Sequence, residues 1–223
     1  MILKLINIVA QVVFGFVLLS LALVIVYRFV PVPYTATMAM DEHAIVKDWE
    51  PLSRIDRNMV SAVIAAEDGK FCSHDGFDRE AIEQAIEERQ AGKRERGAST
   101  ISQQTAKNAF LWQGGGFFRK GLEAWFTFLI ENLWTKRRIM EVYLNVAETG
   151  LGTYGAQAGA QRYFGHSAAR LSPDEASRIA AVLPSPKTRE AVNPTGFTRR
   201  YGNTIEARIG QVRRDGLDDC VYE

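Results

Sequence analysis

Apolar residues follow two different rules along this chain. From Leu5 to Tyr27 they run almost unbroken and no charged residue intervenes, enough for a helix to cross the ~30 Å hydrocarbon layer of a bilayer. From Trp49 onward they recur at spacings of three and four, as in helices with one buried face, and no clear two-residue alternation marks a strand. The chain therefore reads as mainly α. Helices are predicted over Arg57–Glu67, from Asp78 to about Gln90, from Ser99-Thr100 through Lys107, through Trp125, over Lys136–Asn145, up to about Tyr163, up to Leu183, and over about Thr198–Arg213. Asp78 is a candidate N-cap, and Ser172-Pro173-Asp174-Glu175 is a capping box with proline at the first helical position.

The apolar run is too long for a signal peptide, and Tyr27-Arg28-Phe29-Val30 offers no small-residue cleavage site. Residues 1–30 are expected to be an uncleaved transmembrane anchor. Lys4 and the amino terminus on one side and Arg28 on the other nearly balance. The short tail favours a cytoplasmic N-terminus and an exported body. Pro31, Pro33 and the polar residues after them make 31–48 a linker expected to lift the body off the membrane, leaving 49–223 as the domain.

Charge adds little, with 27 basic against 26 acidic residues, so nothing global points to nucleic acid. Two cysteines are too few for a disulfide framework. Cys72 and Cys220 are expected to be free thiols. No internal repeat, phosphate loop or cysteine–histidine metal spacing occurs.

Candidate chemistry begins where the Arg57–Glu67 helix ends in two carboxylates, Glu67 and Asp68, followed by Phe71, His74 and Gly76. Charge is costly to desolvate, so such a helix end is either solvated or functional. On the helix after Ser99, residues Thr100, Gln103, Gln104 and Lys107 share a face. That stripe is rich in amides and hydroxyls, which suits hydrogen bonding to sugar or phosphate, though an ordinary solvated face has the same spacing. Lys120 and Glu123 share a face of an otherwise apolar helix, and Arg138, Glu141 and Asn145 share another. Trp112, Phe117, Phe118, Trp125 and Trp134 divide between core packing and dipping into the lipid interface.

Five motifs in order carry a family resemblance: Glu67-Asp68-x-x-Phe71-x-x-His74-x-Gly76; Gly97-x-Ser99-Thr100-Ile101-x-Gln103-Gln104-x-x-Lys107-Asn108; Arg119-Lys120-x-x-Glu123; Arg138-Ile139-x-Glu141-x-Tyr143-Leu144-Asn145; and Ala180-Ala181-Val182-Leu183-Pro184 ahead of Asn193-Pro194. Over about Trp49–Arg213 the chain resembles the monofunctional peptidoglycan glycosyltransferases of family 51, which polymerise lipid II. The resemblance implies a lysozyme-like helical lobe and a smaller membrane-associated lobe with a cleft between them, on the periplasmic side of the bacterial inner membrane. It implies that Glu67 takes the proton of the attacking 4-hydroxyl and that Glu123 is the second catalytic carboxylate. Substrate-binding roles are implied for Asp68, Phe71, His74, Ser99, Thr100, Gln103, Gln104, Lys107, Arg119, Lys120, Arg138, Glu141 and Asn145. The partners implied are lipid II, the growing glycan strand, membrane lipid and other cell-wall synthesis or division proteins. No cofactor is required, with a divalent cation such as Mg2+ or Mn2+ as an option at the donor pyrophosphate.

Two departures stand out. Gly115-Gly116 replaces an arginine–serine pair usual in that family, for which Lys93, Arg94 and Arg96 are candidate substitutes, and Ala98 replaces a glycine. Two other readings use the same residues: a lysozyme-like hydrolase with paired carboxylates, and a catalytically weakened glycan-binding scaffold. No Ser-x-x-Lys occurs in the chain, so a penicillin-binding transpeptidase domain is not expected in it.

Overall fold

The helix that ends in the paired carboxylates is the centre of the molecule. In the computed structural model, which describes residues 1–92 and 97–223, α3 (Arg57–Glu67) buries Met59, Val60, Ala62, Val63 and Ile64. Asp56 caps its start through the Asn58 N–H. It is covered by α9 (Pro173–Val182) and α10 (Gly196–Arg214). A second layer packs α5 (Ile101–Phe110) against α6 (Gly116–Leu133) and α7 (Lys136–Val146). Around these lie α4 (Arg79–Gln90), capped by Asp78, and α8 (Ala156–Phe164). The capping box at Ser172 and Glu175 forms at the start of α9 as its sequence predicts.

The membrane-length helix α1 (Ile2–Phe29) is exposed over most of its length and docks on the domain through its C-terminal half. Trp125 donates its indole N–H to Ser20 Oγ at 3.0 Å, and Trp134 donates to the Val24 carbonyl at 2.8 Å. Phe110 stacks on Phe126 with centroids 4.6 Å apart, and Tyr27 and Phe16 flank the pair. The aromatic stretch thus divides by position. Trp134 is buried and Trp112 and Trp125 are partly so, whereas Phe117 and Phe118 remain 95% and 73% exposed on the first turn of α6.

Three expectations are corrected. Residues 31–48 are not a free spacer: Val32 and Met38 are fully buried, and Ala36–Ala39 forms a short helix, α2. Val46–Lys47 (β1) pairs in parallel with Thr153–Tyr154 (β3), which is antiparallel to Glu148–Gly150 (β2). Strands of two or three residues are too short to show an alternation, so a small sheet arises where none was expected. The cysteines are not free. Cys72 and Cys220 form a disulfide across 148 positions, because α11 (Asp219–Tyr222) folds back beside α3. There Asp218, fully buried, receives two hydrogen bonds from Arg57 (2.7 and 3.0 Å) and one from Ser61. Lys93, Arg94 and Arg96 lie outside the described residues.

Candidate active site

The central helix delivers Glu67 as its last residue. Its Oε2 accepts a hydrogen bond from Gln104 Nε2 at 2.8 Å, while Oε1 is buried without a partner among the described residues. Burial pushes this carboxyl up, and the Gln104 hydrogen bond and the cations Arg189 and Lys107 pull against it. The amide of Gln104 is oriented in turn by Tyr143, whose hydroxyl donates to its Oε1 at 3.3 Å. Tyr201 donates to the carbonyl of Ala66 at 2.7 Å, tying α10 to the residue before Glu67.

Asp68 does not face the cleft. It accepts from His74 Nε2 at 3.0 Å and from the backbone N–H of Ile101 at 2.9 Å. His74 Nδ1 accepts from the Gly76 N–H, so the ring proton sits on Nε2 and points at Asp68. Thr100 closes the knot, donating to the Gly76 carbonyl at 2.7 Å and sharing a capping box with Gln103. At Gly76, with φ +90°, a β-carbon would come within 2.8 Å of Glu131 and Thr127 side-chain atoms. Phe71 is fully buried, with the Lys136 ammonium 4.7 Å from its centroid. Asp68, Phe71, His74, Thr100 and Gln103, expected to bind substrate, lock the Glu67 loop onto the start of α5. Of the stripe, Gln104 and Lys107 remain for the cleft.

Glu123, on α6 and almost fully buried, accepts from Arg119 at 2.7 Å and from Lys120. Lys120 also donates to Ser99 Oγ at 3.3 Å, which brings the second and third motifs together. Arg119 is held from behind by the Gly114 carbonyl. The Lys107 ammonium forms no hydrogen bond or ion pair among the described residues. Burial pulls its ammonium down, and it stands in the fields of Glu123 and Glu67 and of Arg119 and Lys120. It is the uncommitted cation between the two carboxylates.

A cleft of about 560 Å³ opens beside Gln104, Lys107 and Tyr143, walled on the far side by Asp41, Glu148 and Lys187. Gln104, on its lining, is the residue that hydrogen-bonds Glu67. The linker segment thus supplies part of the wall: Asp41 accepts from Tyr154 at 2.7 Å and pairs with Lys187 at 3.3 Å.

The fourth motif lies elsewhere. Arg138 donates to the Tyr27 carbonyl at 2.7 and 3.0 Å, and also to Val30 and Glu141. Glu141 accepts from the Leu52 N–H, and Asn145 exchanges hydrogen bonds with the backbone of Glu50. These three clamp the anchor's exit and the domain's first turn, and the Arg138 guanidinium is engaged there. Reading the sequence missed Tyr143 as the orienter of Gln104, and missed Arg189 and Tyr201 altogether. Tyr143 stands inside the fourth motif, but nothing in the pattern marks Arg189 or Tyr201.

Among the described residues no three His, Cys, Asp or Glu side chains converge on one point, and both Glu123 oxygens face cations. The arrangement is that of a cation cradle.

Fold and site together define a helical enzyme with a membrane-length N-terminal helix and two buried carboxylates, Glu67 and Glu123, on either side of Lys107. The transglycosylase family matches residues 35–208, and the chain belongs to that family. It is 51% identical to the biosynthetic peptidoglycan transglycosylase of Caulobacter vibrioides over 201 residues, covering 89% of this chain and 88% of the relative. Proteins of the same name from Rhodospirillum centenum and Pseudomonas putida are each 48% identical, covering 100% and 89% of this chain and 98% and 85% of theirs.

Proposed function

We propose that this chain is a peptidoglycan glycosyltransferase that polymerises lipid II into β-1,4-linked glycan strands. The observation that carries the reading is Glu67: a carboxylate with one oxygen held by Gln104 and the other buried without a partner among the described residues, across from a cradle of cations. A sugar hydroxyl is a weak nucleophile at neutral pH and needs a base as it attacks. Oε1 of Glu67 takes the proton of the acceptor's 4-hydroxyl while that oxygen forms its bond to C1 of the donor. The C1–O bond to the undecaprenyl pyrophosphate breaks with its electron pair leaving on the pyrophosphate. Lys107, Arg119 and Lys120 stabilise the developing charge, with Glu123 orienting the last two. Displacement of an α-linked donor inverts the anomeric centre to β.

The catalytic domain belongs on the periplasmic side of a bacterial inner membrane. The Cys72–Cys220 bond supports that side, because disulfides persist in oxidising compartments. Exposed Phe117 and Phe118 beside the anchor suit a lipid interface through which the polyprenyl tail enters. The test is polymer formation from labelled lipid II by the detergent-solubilised full chain beside Glu67→Gln. Polymer is expected from the wild type alone, and polymerisation by the variant at the wild-type rate would sink the assignment.

A further inference from the structure

Arg189 lies in the segment between α9 and α10, outside every motif the sequence displays. Its guanidinium is nonetheless firmly held. It donates to the Ala181 carbonyl at 2.8 Å, near the end of α9. It also lies over two rings of α10, 5.0 Å from the centroid of Phe197 and 5.9 Å from that of Tyr201. Those rings stack on each other with centroids 5.7 Å apart. Tyr201 is the link to the reaction centre, since its hydroxyl bonds the carbonyl of Ala66, one residue before Glu67.

We infer that Arg189 is a positioning residue for Glu67, a fixed positive charge that Ala181, Phe197 and Tyr201 hold beside the carboxylate so that it stays ionised and ready to take a proton. The inference rests on the reading of Glu67 as the base. A base must be charged before it can act, and burial of Glu67 opposes that charge. The groups that face it are Gln104 and Lys107 on α5, Asp68 beside it, Tyr143 on α7, Tyr201 on α10, and Arg189. Arg189 and Lys107 both favour its charged form. Burial, with Arg119 and Lys120, favours the neutral form of Lys107 against the pull of Glu123 and Glu67. A guanidinium does not lose its proton at any working pH. Stacking on two rings holds its position, and among the described residues no carboxylate pairs with it.

The competing explanation is that Arg189 only caps α9 and packs against α10. The pH profile of kcat/KM separates the two. Activity falls as pH drops through the Glu67 pKa, and removing a nearby cation raises that pKa. Arg189→Met is therefore expected to move the acidic limb upward by about one pH unit, with roughly tenfold loss at acid pH and a smaller loss at alkaline pH. Arg189→Lys keeps the charge and is expected to return the limb most of the way. Phe197→Leu loosens the guanidinium without touching α9, and should shift the limb less in the same direction. Thermal melting identifies which variants are folded. A folded Arg189→Met with an unshifted limb, or losses uniform across pH in the variants, would overturn the inference. If Arg189→Met does not fold, the same two outcomes are read from Phe197→Leu and Arg189→Lys. Glu67→Gln run alongside separates the failures. If that variant still polymerises, the base assignment has failed. If it is inactive while the limb stays put, only the role of Arg189 has failed.

Discussion

Gly115 and Arg119 are fitted to each other. Gly115 adopts φ +86°, and a β-carbon there would stand 2.9 Å from Cβ of Arg119 and 3.2 Å from Nε1 of Trp112. The same turn presents the Gly114 carbonyl to Arg119 Nε and so aims the guanidinium at Glu123. The glycine pair that looked like a missing cation is a left-handed turn that sets an existing one. Gly115→Ala should lower stability by about 1–2 kcal/mol and reduce lipid II turnover, because it adds both strain and a clash. Gly115→Arg should do worse despite its charge. Melting curves and turnover check both, and an arginine variant more active than wild type would refute the account.

The Tyr143–Gln104–Glu67 relay predicts graded losses. Tyr143→Phe removes the bond that orients the amide, at a cost of about 1 kcal/mol, or roughly fivefold in kcat. Gln104→Leu removes a hydrogen bond to a charged group and should cost about 1.5–3 kcal/mol, or ten- to a hundredfold. It should also raise the pH of the acidic limb, since that bond favours the ionised carboxyl. Equal effects from the two variants would argue against the relay.

Reduction of the Cys72–Cys220 bond frees a tail that otherwise covers α3 and α7, where Arg137 also donates to the Val221 carbonyl at 3.0 Å. Closing so long a loop favours the folded chain by about 2–5 kcal/mol. A dithiol reductant, or paired Cys72→Ser and Cys220→Ser, should lower the melting temperature. The expectation fails if the melting temperature is the same with and without reductant.

Trp125 and Trp134 bond the anchor itself, at Ser20 and Val24. They sit on and just after α6, the helix that carries Arg119, Lys120 and Glu123. Trp125→Phe and Trp134→Phe should each cost at least about 1 kcal/mol, as one hydrogen bond is lost and the smaller ring leaves a gap. A chain truncated before Val32 should bind lipid II less tightly, because the α6 aromatic face loses its cover. Unchanged melting in the two tryptophan variants would show that the anchor is only a tether.

The linear pattern determined a good deal. The uninterrupted apolar run determined a membrane-length helix, and three-and-four spacing with capping residues determined α3, α4, α7 and α9 almost to the residue. Those signals are local, carried by neighbours within a few positions. The motifs drew attention to Glu67, Gln104, Lys107, Arg119, Lys120 and Glu123 because the chemistry of their side chains is legible in one dimension. What each polar residue bonds is not. Asp68 and His74 look like substrate-binding residues in the sequence, yet Asp68 accepts from the first N–H of α5 and His74 bonds Asp68, and Arg138 looks like a phosphate cation yet bonds the end of the anchor. Only packing decided these roles, since a buried polar group takes whichever partner the fold brings within about 3 Å. The disulfide, the buried linker and the placement of Arg189 join residues far apart in the chain, and no local spacing encodes such contacts.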